Sequence, residues 1–254
     1  MKTLRFQYQY QLDFDDDVYD QQFQLRCIPR DGTHQKILEL NYQIDPIDQV
    51  TQLKDGFGNP IYVGSSLNKH RYFHFNVEGI VQCSNIPFNK ETDCYPIYRY
   101  PTALTKCNDE MKEYVKKYKG MDKEDAAWSL MHDVYHYMTY VPNSTNIYTT
   151  ASEAFDLKKG VCQDYSHILI ALLKELEIPA RYVAGMMIGE GATHAWVDAY
   201  VVDHWIHLDP TNNREADECY IKLAQGRDYQ DCVIDKGYFS GNCHQTLNVK
   251  VKVE

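Results

Sequence analysis

The hydrophobic period of this chain changes twice, and that change limits the folds open to it. Leu4, Phe6, Tyr8, Tyr10, Leu12 and Phe14 alternate with Thr3, Arg5, Gln7, Gln9, Gln11 and Asp13, a period of two that marks a strand with one buried face. Phe23, Leu25 and Cys27, then Leu38, Leu40, Tyr42 and Ile44, then Phe73, Phe75 and Val77 repeat it. Turn residues separate these runs, at Pro29-Arg30-Asp31-Gly32 and Asp55-Gly56-Phe57-Gly58-Asn59-Pro60. The first 85 residues therefore read as a β-sandwich domain, and residues 86–101, punctuated by Pro87, Pro96 and Pro101, as a connection.

Past residue 101 the spacing becomes helical. Asn108 can cap a helix carrying Met111, Tyr114, Val115 and Tyr118, and Asp122 one carrying Trp128, Met131, Tyr135 and Met138. Thr150 and Glu153 have the spacing of a capping box. A fourth helix is expected over 162–176, burying Leu169, Leu172, Leu173 and Leu176 and ending before Pro179. The period of two then returns over 181–188, 193–201 and 204–209, and in Leu247, Val249, Val251 and Val253. Helices followed by strands predict an α+β domain over 102–254.

Composition removes several classes of function. The 254 residues carry 26 basic and 36 acidic side chains, a net charge of −10, which argues against nucleic acid as the main partner. No apolar run approaches the roughly 18 residues of a membrane helix, and the N-terminus shows no apolar leader with a small-residue cleavage site, so a cytoplasmic protein without a membrane partner is expected. Eight cysteines include no Cys-x-x-Cys pair, so free thiols are expected and no zinc knuckle.

One of those cysteines stands apart. In Lys159-Gly160-Val161-Cys162-Gln163-Asp164-Tyr165 a glycine turn delivers Cys162 to the first turn of an apolar helix, where unpaired N–H groups and the helix dipole favour thiolate. The position equally suits a buried structural cysteine. A thiol nucleophile needs a base, and the base an orienter. Asp164 and His167 lie roughly 200° and 140° round the helix from Cys162, so neither faces the thiol. Thr193-His194-Ala195-Trp196-Val197-Asp198-Ala199-Tyr200, as a strand, puts His194, Trp196, Asp198 and Tyr200 on one face. Asp209 ends the next strand, in Leu208-Asp209-Pro210-Thr211-Asn212, whose Asp-Pro-Thr-Asn is also good turn chemistry. Among other polar groups, His132 and His136 read as a solvated face, Arg227-Asp228-Tyr229 with Asp231 as an ion pair, and Cys219, Cys232, Cys243 and His244 as too unevenly spaced for a metal.

Together these segments resemble the transglutaminase-like superfamily. The resemblance rests on Gly160-Val161-Cys162-Gln163-Asp164-Tyr165, Ile178-Pro179-Ala180-Arg181-Tyr182-Val183, Thr193-His194-Ala195-Trp196-Val197 and Leu208-Asp209-Pro210-Thr211-Asn212. The β region before them resembles the domain preceding this core in bacterial members described as cysteine-protease-like. Three positions depart from the family pattern: Ser166 stands where alanine is expected, Glu177 where glycine is expected, and Asp198 where glutamate is usual. The resemblance implies a papain-like α+β core with helices on an antiparallel sheet. It implies Cys162 as nucleophile, His194 as base and then acid, Asp209 as orienter, and no cofactor or metal. The expected chemistry is acyl transfer from a peptide bond or glutamine side chain through a thioester, ending on water in a protease or amidase. The alternatives are an amine acceptor, as in a transglutaminase, and a non-catalytic binding module on the same fold. Tyr140 and Trp128 are candidates for a second oxyanion donor beside the N–H of Cys162.

Overall fold

The structure is a computed structural model that describes residues 1–88 and 94–254. Of the expected connection over 86–101, residues 89–93 lie outside the described residues. Five strands come first: β1 (Lys2–Leu25), β2 (Gln35–Asp45), β3 (Gln49–Lys54), β4 (Pro60–Ser66) and β5 (His70–Cys83). The helical stretch holds α1 (Asp109–Val115), α2 (Lys123–Tyr137), α3 (Ala151–Leu157) and α4 (Cys162–Glu175), with two-residue strands β6 (Thr139–Tyr140) and β7 (Lys159–Gly160) between them. There follow β8 (Ala180–Met187), β9 (Gly189–Gly191), β10 (His194–Val201), β11 (His204–Asp209), β12 (Arg214–Glu215), β13 (Tyr220–Gly226), β14 (Asp235–Ser240) and β15 (Gln245–Val253).

β1 is longer than its alternation suggests because it serves two layers. Its first half pairs antiparallel with β5, from Leu4 opposite Val81 to Asp13 opposite Tyr72. The ladder shifts between Asp13 and Val18, and the second half pairs with β4, Phe23 opposite Gly64. The two halves face each other: the Phe23 and Phe73 rings are 4.8 Å apart, and Tyr42 of β2 meets Tyr62 of β4 at 5.2 Å.

The last strands depart from the expected 102–254 unit. β14 and β15 hydrogen-bond to β1, with Phe6 opposite Val253 and Phe14 opposite Gln245, so the end of the chain completes the N-terminal sheet. A period of two shows which face of a strand is buried, not which strand borders it. Two smaller expectations also change. Leu38 and Tyr42 are exposed on β2, whose register slips between Ile37 and Glu39. On α2 the buried stripe is Ala126, Ala127, Leu130, Met131 and Val134, while Tyr135 faces out.

A second sheet runs β12-β11-β10-β8-β13. α4 packs on it and is buried from Gln163 to Lys174, because Ala195, Val197 and Ala199 leave room beneath. β13 lies at one edge of this sheet, and two side-chain amides cover that edge. Lys222 N–H donates to Gln35 Oε1 and Gln35 Nε2 donates to the Lys222 carbonyl, at 2.7 and 2.8 Å. Gln225 N–H and carbonyl bond the Asn59 amide in the same way, at 2.9 and 2.8 Å. A bulge between Lys222 and Ala224 lies between the two clasped peptides.

Candidate active site

The start of α4 is built by a close approach. A Cβ on Gly160 would lie 2.6 Å from Asp164 Cβ and Oδ2, so only glycine fits. Asp164 Oδ2 accepts from Val161 N–H at 2.7 Å and from the Thr145 hydroxyl at 2.6 Å, capping the helix and anchoring the 141–149 loop. Burial pushes the Asp164 carboxyl up from its usual range. Cys162, the first residue of α4, stays partly exposed.

His194 opens β10 and Asp209 closes β11. His194 Nε2–H donates to Asp209 Oδ2 at 2.7 Å, which leaves Nδ1 for the Cys162 thiol that hydrogen-bonds the same ring. Burial disfavours a charged imidazole here, but the bonds from Asp209 and Cys162 outweigh it and raise His194 to about 10. Asp209 is fully buried. Burial alone raises a carboxyl; the bonds from His194, Asn212 and Tyr220 reverse this and hold Asp209 below its usual range.

The two oxygens of Asp209 do different work. Oδ1 accepts from Thr211 and Asn212 N–H at 2.9 and 3.2 Å, the turn that Asp-Pro-Thr-Asn predicts. Oδ2 takes His194, Asn212 Nδ2 and Tyr220 Oη, each at 2.7 Å. One carboxylate thus both closes the turn and bonds the His194 ring. Asn212 also lies 3.4 Å from His194 Nε2. Sequence reasoning took Asn212 only as a turn residue and passed over Tyr220, which carries no local signal: it reaches Asp209 from a different strand. Behind them the Trp196 indole lies across Gly185, whose Cβ would come within 2.4 Å of the ring.

The other polar residues fall elsewhere. His167 is fully buried; its Nε2 accepts from Tyr229 N–H at 3.1 Å, and burial holds the ring at about 3. Asp198, on the Trp196 face, sits fully buried among Arg181, His207 and Lys222. Arg227 pairs with Asp231 at 2.7 Å. His132 and His136 are exposed, and His132 meets the Asn213 amide. No three His, Cys, Asp or Glu among the described residues are grouped to hold one metal ion. Of the two oxyanion candidates, Tyr140 has its hydroxyl pushed up by burial and then by the charge of Cys162, while Trp128 packs against the core. A small open cleft lies between the β-sandwich and the sheet, lined by His34, His207, Trp196 and Tyr220 among others; Cys162, His194 and Asp209 do not line it.

Residues 112–210 match the transglutaminase-like superfamily core, and residues 4–82 match the bacterial transglutaminase-like N-terminal region. The chain belongs to the transglutaminase-like superfamily. Its fold is similar to that of a candidate cysteine protease from Cytophaga hutchinsonii, with a TM-score of 0.80 over 100% of this chain and 91% of that one, at 20% identity. At that identity the likeness shows the transglutaminase-like fold alone. In sequence the chain is similar to an uncharacterized protein of Mycobacterium leprae, 27% identical over 90% of each chain. It is also similar to one of Mycobacterium tuberculosis, 28% identical over 89% of this chain and 84% of that one.

Proposed function

We propose that this transglutaminase-like protein is a cysteine hydrolase of amide bonds, cutting a peptide or a glutamine side chain through a thioester. The observation that carries the reading is the line of contacts from the Cys162 thiol to His194 and on to the buried Asp209. With Asp209 on Nε2, the His194 ring can take up the thiol proton, and the attacking form of the pair is thiolate beside imidazolium. The thiolate attacks the carbonyl carbon. The oxyanion is stabilised by the N–H of Cys162 at the helix N-terminus, with Tyr140 the candidate for a second donor. His194 gives its proton to the leaving amine as the C–N bond breaks, and the thioester remains. Water then attacks, losing a proton to His194, and the acid leaves with the thiol restored.

An amine in place of water would give a transglutaminase with the same three residues. The test is incubation with a glutamine-containing peptide, with and without a primary amine. Ammonia release or peptide cleavage that is lost in Cys162→Ala is expected. Incorporation of the amine in preference to water would overturn the hydrolytic reading, and absence of any Cys162-dependent product from a varied peptide set would favour a binding module.

A further inference from the structure

Three donors converge on one oxygen of Asp209, and they are not equivalent. His194 Nε2–H carries the proton whose affinity matters to the chemistry; Asn212 Nδ2 and Tyr220 Oη compete with it for the same lone pairs, all at 2.7 Å. A carboxylate oxygen that serves other donors offers less charge to each. We infer that Tyr220 is a positioning residue that moderates the basicity of His194 by drawing charge from the Asp209 oxygen they share. The inference rests on the Cys162–His194–Asp209 reading proposed above and says what limits it.

The surroundings favour this role. Tyr220 is 5% exposed, and its ring is held edge-on to Trp196 at 5.4 Å, so its hydroxyl has little freedom to leave Asp209. Burial first, and then the facing Asp209 carboxylate, push the phenol far above its ordinary range; it stays protonated and donates at every working pH. The charged and titratable groups around the pair are few. Cys162 faces His194 from α4, and its charge is felt by the Tyr140 hydroxyl of β6. On the far side of Tyr220, the Arg214 guanidinium of β12 sits 5.7 Å over the phenol ring and pairs with Asp217. Among the described residues, Asp209 is the one carboxylate that touches His194.

The purpose of such moderation follows from the two duties of the imidazole. A ring that holds its proton too tightly supports thiolate but gives the proton up poorly to the leaving amine. Removing the Tyr220 hydroxyl should therefore strengthen the ion pair and weaken the acid.

The test needs no substrate for its main readout. Iodoacetate is an anion, so its reaction with Cys162 is favoured while His194 is charged and slows as the ring loses its proton. The rate of Cys162 carboxymethylation is followed from pH 5 to 11 in wild type and in Tyr220→Phe, which keeps the ring that packs on Trp196. The alkaline fall should move up by about one pH unit, or out of range, in the variant. Amide turnover should drop several-fold relative to an activated ester. Asn212→Ala removes the second donor and should move the fall in the same direction. Superimposed curves, or a downward move, in a Tyr220→Phe protein of unchanged circular dichroism would overturn the inference while leaving the proposed function standing. A wild type with a simple thiol curve and no alkaline fall would remove the cysteine–histidine pair itself, and both readings with it.

Discussion

Gln35 and Lys222 pair as two strands would, through a side chain on one side and a peptide on the other. The Gln35 amide donates to the Lys222 carbonyl and accepts from its N–H, and Asn59 repeats the arrangement on Gln225. Both amides come from the first region of the chain and both peptides from the sheet that carries His194. An edge strand left with open N–H and C=O groups is a template for unwanted pairing. Here the β-sandwich supplies the missing partner without supplying a strand.

Replacing Gln35 by Ala strands both Lys222 backbone groups in a half-buried seam. A loss of about 2–4 kcal/mol is expected in urea unfolding, with a similar loss for Asn59→Ala. A change under about 0.5 kcal/mol in both would mean that water satisfies this edge equally well.

The eight thiols should separate under limited iodoacetamide. Burial pushes Cys27, Cys94, Cys232 and Cys243 up and raises Cys83 and Cys107 to about 12. Cys162 alone bonds an imidazole. Peptide mapping after substoichiometric labelling at pH 7 should find Cys162 modified first.

Asp209→Asn acts in the opposite sense to loss of the Tyr220 hydroxyl. The bond to Asp209 is the leading cause holding His194 above the usual histidine range, against burial. Without the carboxylate charge the alkaline limb of Cys162 reactivity should move down towards pH 6.5. Turnover should fall by up to about 10⁴, less than in Cys162→Ala. An unmoved limb in a folded variant would reduce Asp209 to its turn.

His167 predicts acid sensitivity. Its folded value is about 3 because burial opposes the charged ring, against about 6.5 when unfolded. Its neutral form thus stabilises the fold fully above pH 6.5, and that contribution is lost as pH falls towards 3. The slope approaches about 1.4 kcal/mol per pH unit for one proton. In His167→Gln, whose amide oxygen can still accept from Tyr229 N–H, urea midpoints should vary less between pH 7 and 4 than in wild type.

What the sequence showed was set by range. The caps were local and legible: Asn108 accepts from Met111 N–H, Asp122 from Glu124 and Asp125, and Thr150 and Glu153 form their box. The orientation of Asp164 and His167 away from Cys162 followed from helix geometry, and the structure places them on Thr145 and Tyr229. The pairing of β15 with β1, and the reach of Tyr220 to Asp209, depend on tertiary register that no local spacing records. Asn212 lies within Leu208-Asp209-Pro210-Thr211-Asn212, where a turn already accounts for it.

Two departures from the family pattern can be tested as stability changes. Glu177 adopts a φ of 57°, the left-handed position that closes α4, with Ile178 N–H returning to the Leu173 carbonyl. Ser166 is fully buried and its hydroxyl has no partner among the described residues. Glu177→Gly and Ser166→Ala should each stabilise the protein, by about 1 kcal/mol, read from thermal or urea unfolding.

The pairing of β15 also bears on the order in which the molecule can be made. β1 leaves the ribosome before any other strand, yet the neighbour that covers Phe6 to Phe14 on one side is synthesised after every element it packs with. Until then β1 has an open edge, and closure must await a contact as distant in sequence as Phe6 with Val253. β15 also pairs with β9, Val251 opposite Gly191, three residues before His194. A nascent chain that stops short of residue 245 therefore has its cysteine, histidine and aspartate already translated, but nothing on this side to pin the segment that leads into the histidine.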